Sequence, residues 1–417
     1  MSDRGENMNL RIASKYSILA LLVLGMVWSS RAQQPAWQSV VIAEAGFSSG
    51  DLVYNSDLAV APDGTAYVVW ADLGGDIMLS VVPPGETLQP GSPINVSQGA
   101  GGDWPVAPAV SLGGGRLCVV WEGWDDLGGD IFIRCSDDGA QTWLSPPVRV
   151  AETDAASGQH ELQGEWDGDV DVFVDSQKTV YVAWFEDFSK LVWSKSTDGQ
   201  TFSEFQTLLE TFDFLRWPHW AQGPDGTLYL AYTLAVSSDE ADVYFFKTSD
   251  GGATWEGPTQ VTKNPGFSDA PEWAFINNTI YNVNDDTERA APDSADIMLT
   301  VSPDGGATWK PSVVIAKDGA FPSIATDGKN LYVSFSSIVE EEQTGFVCST
   351  DGGATWKRDD IPNSGPNFVF LGLRGPGIDA SETAIAVDAQ GNVYVAWARG
   401  SRQLRLSQIM LAKRAGC

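Results

Sequence analysis

Three tryptophans of this chain stand beside residues that could handle a sugar. Trp166 follows Glu165, Trp217 follows Arg216 and lies two residues before His219, and Trp273 follows Glu272. Aromatic rings stack on the C–H faces of sugars, while carboxylates and guanidinium groups bond their hydroxyls. The competing reading is that these rings only pack between structural repeats. A further run, Asn284-Asp285-Asp286 with Glu288 and Arg289, puts polar side chains where the neighbouring pattern is apolar. That break points to a site or to a locally rearranged repeat. Arg374 is one more cation in an irregular stretch. The loops Asp72-Leu-Gly-Gly-Asp76 and Asp126-Leu-Gly-Gly-Asp130 are identical, and carboxylates gathered at glycine turns can bind Ca²⁺; solvated hairpins are the commoner outcome. No other cofactor is expected, because His160 and His219 have no paired Cys/His spacing to build a zinc site.

The elements that position these residues repeat. A strand of the form Tyr-Val-x-Trp occurs seven times: Tyr67–Trp70, Cys118–Trp121, Tyr181–Trp184, Tyr229–Tyr232, Tyr281–Asn284, Tyr332–Phe335 and Tyr394–Trp397. The copies lie about 50 to 60 residues apart, the length of one four-stranded blade. An inner strand such as Asp57–Ala61 precedes the motif, joined to it by a Pro-Asp-Gly turn, a strong hairpin signal. After it come an irregular loop, a third strand, and a turn that also repeats. That turn reads Thr248-Ser-Asp-Gly-Gly-Ala-Thr-Trp255, Ser302-Pro-Asp-Gly-Gly-Ala-Thr-Trp309 and Ser349-Thr-Asp-Gly-Gly-Ala-Thr-Trp356. Ser136–Trp143 is a looser copy, and Ser196–Phe202 is one residue short. The Asp accepts backbone N–H groups across the bend, glycine supplies positive φ, and the Trp plugs the layer below. Ser39–Glu44 nearly repeats the outer strand Ser312–Lys317, while the C-terminus stops after three strands. The N-terminal strand is therefore expected to complete the last blade, which removes a free sheet edge.

The turn S-x-D-x-G-x-T-W resembles the Asp box, or BNR repeat, of the sialidase-like β-propeller superfamily. The resemblance covers nearly all of the chain after its first segment. It implies an all-β propeller of four-stranded antiparallel blades. The repeats count to seven, whereas sialidases usually have six, which stays the alternative. In the family the boxes are structural turns, on the face away from the active site. The candidate residues above would then share the opposite face, where connections are irregular. Sialidases clamp a substrate carboxylate with three arginines, use a Tyr paired with Glu as nucleophile, and use an Asp as acid/base. Arg216-Trp217-Pro218 resembles the family's Arg-Ile-Pro motif, although it falls in the fourth repeat, and other repeats also begin aromatic-Pro (Trp104-Pro105, Phe321-Pro322). The resemblance thus implies substrate contacts from Arg216, Arg289, Arg374, Trp217, Trp166, Trp273, His219 and Asn284. Tyr54, which the repeated strand does not use, would be the nucleophile beside Glu272 or Glu165, with Asp286 as the acid/base. An exo-glycosidase of sialidase type is one implied function; a non-catalytic propeller binding carbohydrate or protein is another, and a structural or assembly factor a third.

Composition narrows the partners. The 417 residues carry a net charge of −30, which repels nucleic-acid phosphates and anionic lipid heads. An anionic sugar would need a local basic pocket in that field. Arg11 and Lys15, the apolar run Ser17–Trp28 and Ser30-Arg31-Ala32 read as a secretory leader over residues 1–32, leaving one domain over 33–417. A secreted monomer that binds a carbohydrate or glycoconjugate, with no membrane insertion, is the expectation. Among the four cysteines, Cys118 and Cys135 fall on consecutive strands and could face each other; Cys348 has no partner at its matching position, Cys417 is terminal, and ordinary buried thiols stay the alternative.

Overall fold

A computed structural model describes residues 36–46, 53–72, 74–101, 106–125, 128–153, 170–186, 189–287, 295–337, 343–365, 383–401 and 406–417. All of them lie in one compact unit, Pro35–Cys417. The leader, Trp166, Arg289, Arg374, Glu165, Glu288, His160, Trp104 and Asp126 lie outside the described residues, as does the side chain of Tyr54.

Every described regular element is a β-strand. Five sheets hold four strands each, and a sixth holds eight. The larger sheet is two antiparallel runs of four, joined by a single parallel pair, Ala241 with Phe267. Taken in chain order these four-stranded units begin with the inner strands Val53–Val60, Val106–Gly113, Val170–Val174, Phe214–Gln222, Phe267–Ile276, Gly319–Thr326 and Thr383–Val387. Each inner strand touches the next, and the last touches the first. Strand Gln38–Gly46 pairs antiparallel with Leu406–Ala415 and so supplies the fourth strand of the last unit.

The Tyr-Val-x-Trp motif forms the second strand of every unit. These strands are buried on both faces between neighbouring sheets, which is why they read as continuous apolar runs rather than alternating ones. Trp70, Trp121, Trp184 and Trp397 are almost fully buried there. Asn284 occupies the same position in the fifth unit. It is buried too, and its amide accepts from Asn282 (3.0 Å) and donates to the Asp285 carbonyl (2.9 Å).

The repeated turns share one hydrogen-bond pattern. In the fourth unit Thr254 donates through its hydroxyl (2.7 Å) and its N–H (2.9 Å) to Asp250, while Thr248 Oγ1 accepts from Gly252 N (2.9 Å). Equivalent bonds fix Asp138, Asp304 and Asp351, and Asp198 in the shortened copy. The Thr hydroxyl and N–H hold these carboxyls below their ordinary range; Asp351 falls to about 2. Each terminal Trp reaches back to the preceding unit. Trp255 lies 5.3 Å from Trp193, and Trp309 lies 6.0 Å from Phe245.

Both cysteine pairs are disulfides. Cys118 and Cys135 stand directly opposite on paired strands, with Cα atoms 4.1 Å apart. Cys348, given no partner by its place in the repeat, bonds Cys417, which the chain end delivers beside the sixth unit.

Gly252 has φ +90°, and a Cβ there would fall on the Trp193 ring. Gly226 has φ +87° but open space around it. Gly252→Ala is expected to cost about 3 kcal/mol, from overpacking added to backbone strain, and Gly226→Ala only about 1 kcal/mol. Urea midpoints of the two variants measure the gap. Equal losses would show that the glycine–tryptophan contact between units carries no weight.

Candidate functional site

The inner strands share a local irregularity. Ala107, Trp217, Ala270 and Phe321 have φ of 47°, 58°, 50° and 50°, and each precedes a proline (Pro108, Pro218, Pro271, Pro322). Asn55, at 43°, stands at the same place before Ser56. At each of the five the strand register slips. Left-handed backbone costs a non-glycine residue about 1–2 kcal/mol, and a following proline further restricts it. The strain therefore recurs by design of the repeat, and the second unit's member is Ala107-Pro108 rather than Trp104-Pro105.

Two residues after four of these five bulges sits a side chain that reaches toward the next inner strand. Asp57 Oδ2 accepts from Val110 N (2.7 Å) and Oδ1 from Leu58 N (2.7 Å). Asp171, at the corresponding place in the third unit, accepts from Trp220 N and Val172 N, both at 2.7 Å. His219 Nε2 accepts from Trp273 N at 3.3 Å. Glu272 accepts from Ile324 N and from Ser323 Oγ (3.0 Å), and Ser323 Oγ accepts from Ile385 N (3.3 Å). Ala109 and Ala384 complete the set without a polar atom to offer.

These side chains surround a cavity of about 130 Å³ to which all seven inner strands contribute. Its walls include Ser56, Asp57, Asp171, Trp217, His219, Glu272 and Phe321. His219 Nδ1 lies 3.9 Å from Asp171 and 3.8 Å from Glu272. Burial raises the carboxyls of Asp57, Asp171 and Glu272 to about 7 each. The charge of Glu272 pushes Asp57 further up, and that of Asp57 does the same to Asp171. Burial lowers His219, against the pull of Asp171. The arrangement offers protonated and ionised carboxyls together near neutral pH, which acid–base chemistry on one bond requires.

Of the residues singled out in the sequence, the structure brings Glu272, Trp217 and His219 to this cavity. Arg216 stands behind the wall, with Nε 3.5 Å from Asp269 and its guanidinium 5.3 Å from the Trp217 ring centre. Trp273 packs against Tyr229, Phe245 and Trp309, and its indole donates to Asn282 (2.9 Å). Asp286 accepts from Ser268 Oγ (2.7 Å) and Asn264 (3.2 Å), away from the cavity. Tyr54 belongs to the first inner strand by its backbone. Asp57 and Asp171 were not singled out. Their signal was a carboxylate in an otherwise apolar strand, and of the two only Asp57 follows a described bulge. As for Ca²⁺, Asp72 caps its own turn through Gly74 N (2.9 Å), Asp76 accepts from Ser97 Oγ (2.9 Å), and Asp130 pairs with Arg149 (2.5 Å). No three His, Cys, Asp or Glu among the described residues are grouped to hold a metal ion. No helix among them is long and apolar enough to cross a membrane.

No protein-family model and no curated protein matches the sequence. Solved structures do. A protein of unknown function from Dyadobacter fermentans superposes with TM-score 0.55 at 13% identity, over 91% of this chain and 98% of its own. The Hadza microbial sialidase Hz136 gives 0.52 at 16%, over 85% and 74%. Penicillium chrysogenum alpha-L-arabinanase, solved with arabinobiose, gives 0.51 at 12%, over 91% and 98%. At these identities the likeness shows a shared fold and nothing beyond it.

A carboxyl raised by folding keeps its proton longer in the folded chain. For Glu272 the window runs from its ordinary 4.5 to about 7. Across it the folded state binds more protons than the unfolded one, so stability falls as pH rises. Glu272→Gln removes that contribution. The drop in urea midpoint between pH 5 and pH 7.5 is expected to shrink in the variant; an unchanged drop would show that Glu272 titrates as an ordinary glutamate.

Proposed function

We propose that this protein is a secreted exo-glycosidase of the sialidase-like kind, a closed seven-bladed propeller that works on the terminal sugar of a glycoconjugate. The convergence of Asp57, Asp171, Glu272 and His219 on one cavity at the meeting of the inner strands carries the reading. Glu272 is the general acid: its carboxyl is raised by burial, and Ser323 holds one oxygen so that the other faces His219. Asp171 or Asp57 is the partner carboxylate, acting on water or on the developing oxocarbenium ion. The apolar leader and the two disulfides support export. The repeated Asp turns support the family placement, and consecutive contact of the inner strands, the last with the first, supports seven blades.

Sialidase chemistry through Tyr54, with Arg216, Arg289 and Arg374 as the clamp, is less well supported. Arg216 is engaged with Asp269 behind the cavity wall. A second reading, a binding propeller without catalysis, is favoured by one observation: the carboxyls of Asp57, Asp171 and Glu272 all bond a neighbouring strand.

Purified mature chain with a panel of fluorogenic neutral exo-glycosides and a sialoside separates these readings. Turnover of a neutral glycoside is expected, with Glu272→Gln lowering kcat by about 10²–10⁴-fold. Turnover of the sialoside alone, lost in Arg216→Ala, would replace carboxyl chemistry with the arginine clamp. No turnover on any substrate would leave the binding propeller.

A further inference from the structure

Three of the bulges are braced from behind by charged side chains. Asp269 Oδ1 accepts from Ala270 N (3.0 Å), and Asp285 Oδ2 accepts from Phe321 N (2.8 Å). Ala270 and Phe321 are the left-handed residues of the fifth and sixth units. Arg216 immediately precedes Trp217, the left-handed residue of the fourth, and its Nε lies 3.5 Å from Asp269 Oδ2. Asp269 and Asp285 stand directly opposite each other in the strand ladder, and both are fully buried. One buried set of contacts thus runs through three successive units.

A bulge of this kind forms without such charges. The residue ahead of it is Val106 in the second unit and Ala320 in the sixth. Where the fifth unit has Asp285, the first, fourth and sixth have Ala71, Thr233 and Ser336, and the second has another acid, Glu122. Burying ions is costly, and apolar residues of similar volume are often at least as stable in their place. What sets the fourth to sixth units apart stands two residues past their bulges: His219, Glu272 and Ser323. These side chains form a connected run. Ser323 Oγ donates to Glu272 Oε2 (3.0 Å), and Glu272 Oε1 lies 3.8 Å from His219 Nδ1. A rotation at any of the three bulges would carry the side chain beyond it out of this run.

We propose that Arg216, Asp269 and Asp285 are positioning residues, which hold three bulges and so set the spacing of Glu272 to His219 and Ser323. None of the three lines the cavity, so they act through those side chains and not on a substrate. The guanidinium of Arg216, 5.3 Å from the Trp217 ring centre, also backs the aromatic wall. The polar run at Asn284-Asp285 gains a purpose: it breaks the apolar pattern of its own unit to brace the next one. The effect on turnover rests on the glycosidase reading; the effect on geometry does not.

NMR titration of the His219 imidazole in the full mature chain tests the geometry. The chain has two histidines, so His219→Gln assigns the signal. Asp171 and Glu272 face this ring, and burial holds its midpoint below the ordinary 6.5. Asp269→Asn and Asp285→Asn each keep an oxygen for the N–H they serve and lose the charge. Each is expected to loosen its bulge, admit water and raise the midpoint toward 6.5. Loss of a negative charge alone would lower it, so the direction of the change separates the two causes. Asp242→Asn is the control: its carboxyl bonds Gln260 and Thr262 at the outer edge of the fourth unit, and the midpoint should stay in place. On a glycoside that the wild type turns over, the two bulge variants should lower kcat by about 10–100-fold with KM within about twofold, and the control should not. An unmoved or lowered midpoint would overturn the proposal even if stability falls, as would an unchanged kcat or an equal effect from the control. A raised midpoint, in a chain whose wild type turns over no glycoside, would uphold the brace and remove the glycosidase reading. If neither aspartate variant folds, Arg216→Lys is read in the same way, since it keeps the charge and loses the forked geometry.

Discussion

An inner strand is the edge of its own sheet, and every edge exposes backbone N–H groups that no ladder partner satisfies. Here those edges meet one another around a common cavity. The structure answers with side chains: in four of the five bulged units the residue two places past the bulge accepts the next strand's N–H, and Asp171 does so in the third unit. Asp57 serves Val110, Asp171 serves Trp220, His219 serves Trp273, Glu272 serves Ile324 and Ser323 serves Ile385. Everything else about the candidate site follows from this requirement. The acceptors must point inward and sideways at once, and so their remaining atoms line a common cavity.

The bulges make that direction available. A regular strand would alternate its side chains between the two sheet faces, with none aimed along the edge. One left-handed residue ahead of Pro108, Pro218, Pro271 or Pro322 rotates the chain, and the proline fixes the new course. Five such residues together represent several kcal/mol of strain. The outer parts of the units offset it. Tryptophans of the repeated turns pack back onto the preceding unit, and Tyr229 Oη donates to the Gly305 carbonyl of the next unit's turn at 3.3 Å. Regularity at the rim thus supports irregularity at the axis.

That division explains what could be read in the sequence. The rim is built by local motifs, whose spacing is visible: Tyr-Val-x-Trp gave every second strand, and S-x-D-x-G-x-T-W gave the turns. The axis is built by single residues from separate units, and no window of sequence holds two of them. Glu272 and His219 drew attention because tryptophans stand beside them. Asp57 and Asp171 did not, because a lone Asp before an apolar run also begins an ordinary strand. The break at Asn284 was visible and is real, but burial turned it inward to Asn282 and Trp273 rather than to the cavity. The Cys348–Cys417 bond depends on where the chain end lies in space, which no repeat position records.

The chemistry of the ring carries one more implication. Desolvation and mutual repulsion make three clustered carboxyls a costly way to accept hydrogen bonds that a serine accepts at the adjacent place. The proton that each carboxyl retains near neutral pH lessens that cost. Bonding the next strand does not by itself require a carboxyl, since Ser323 does it with a hydroxyl. A site that must both hold a polar ligand and exchange a proton with it would need groups of this kind, in this number, at this depth.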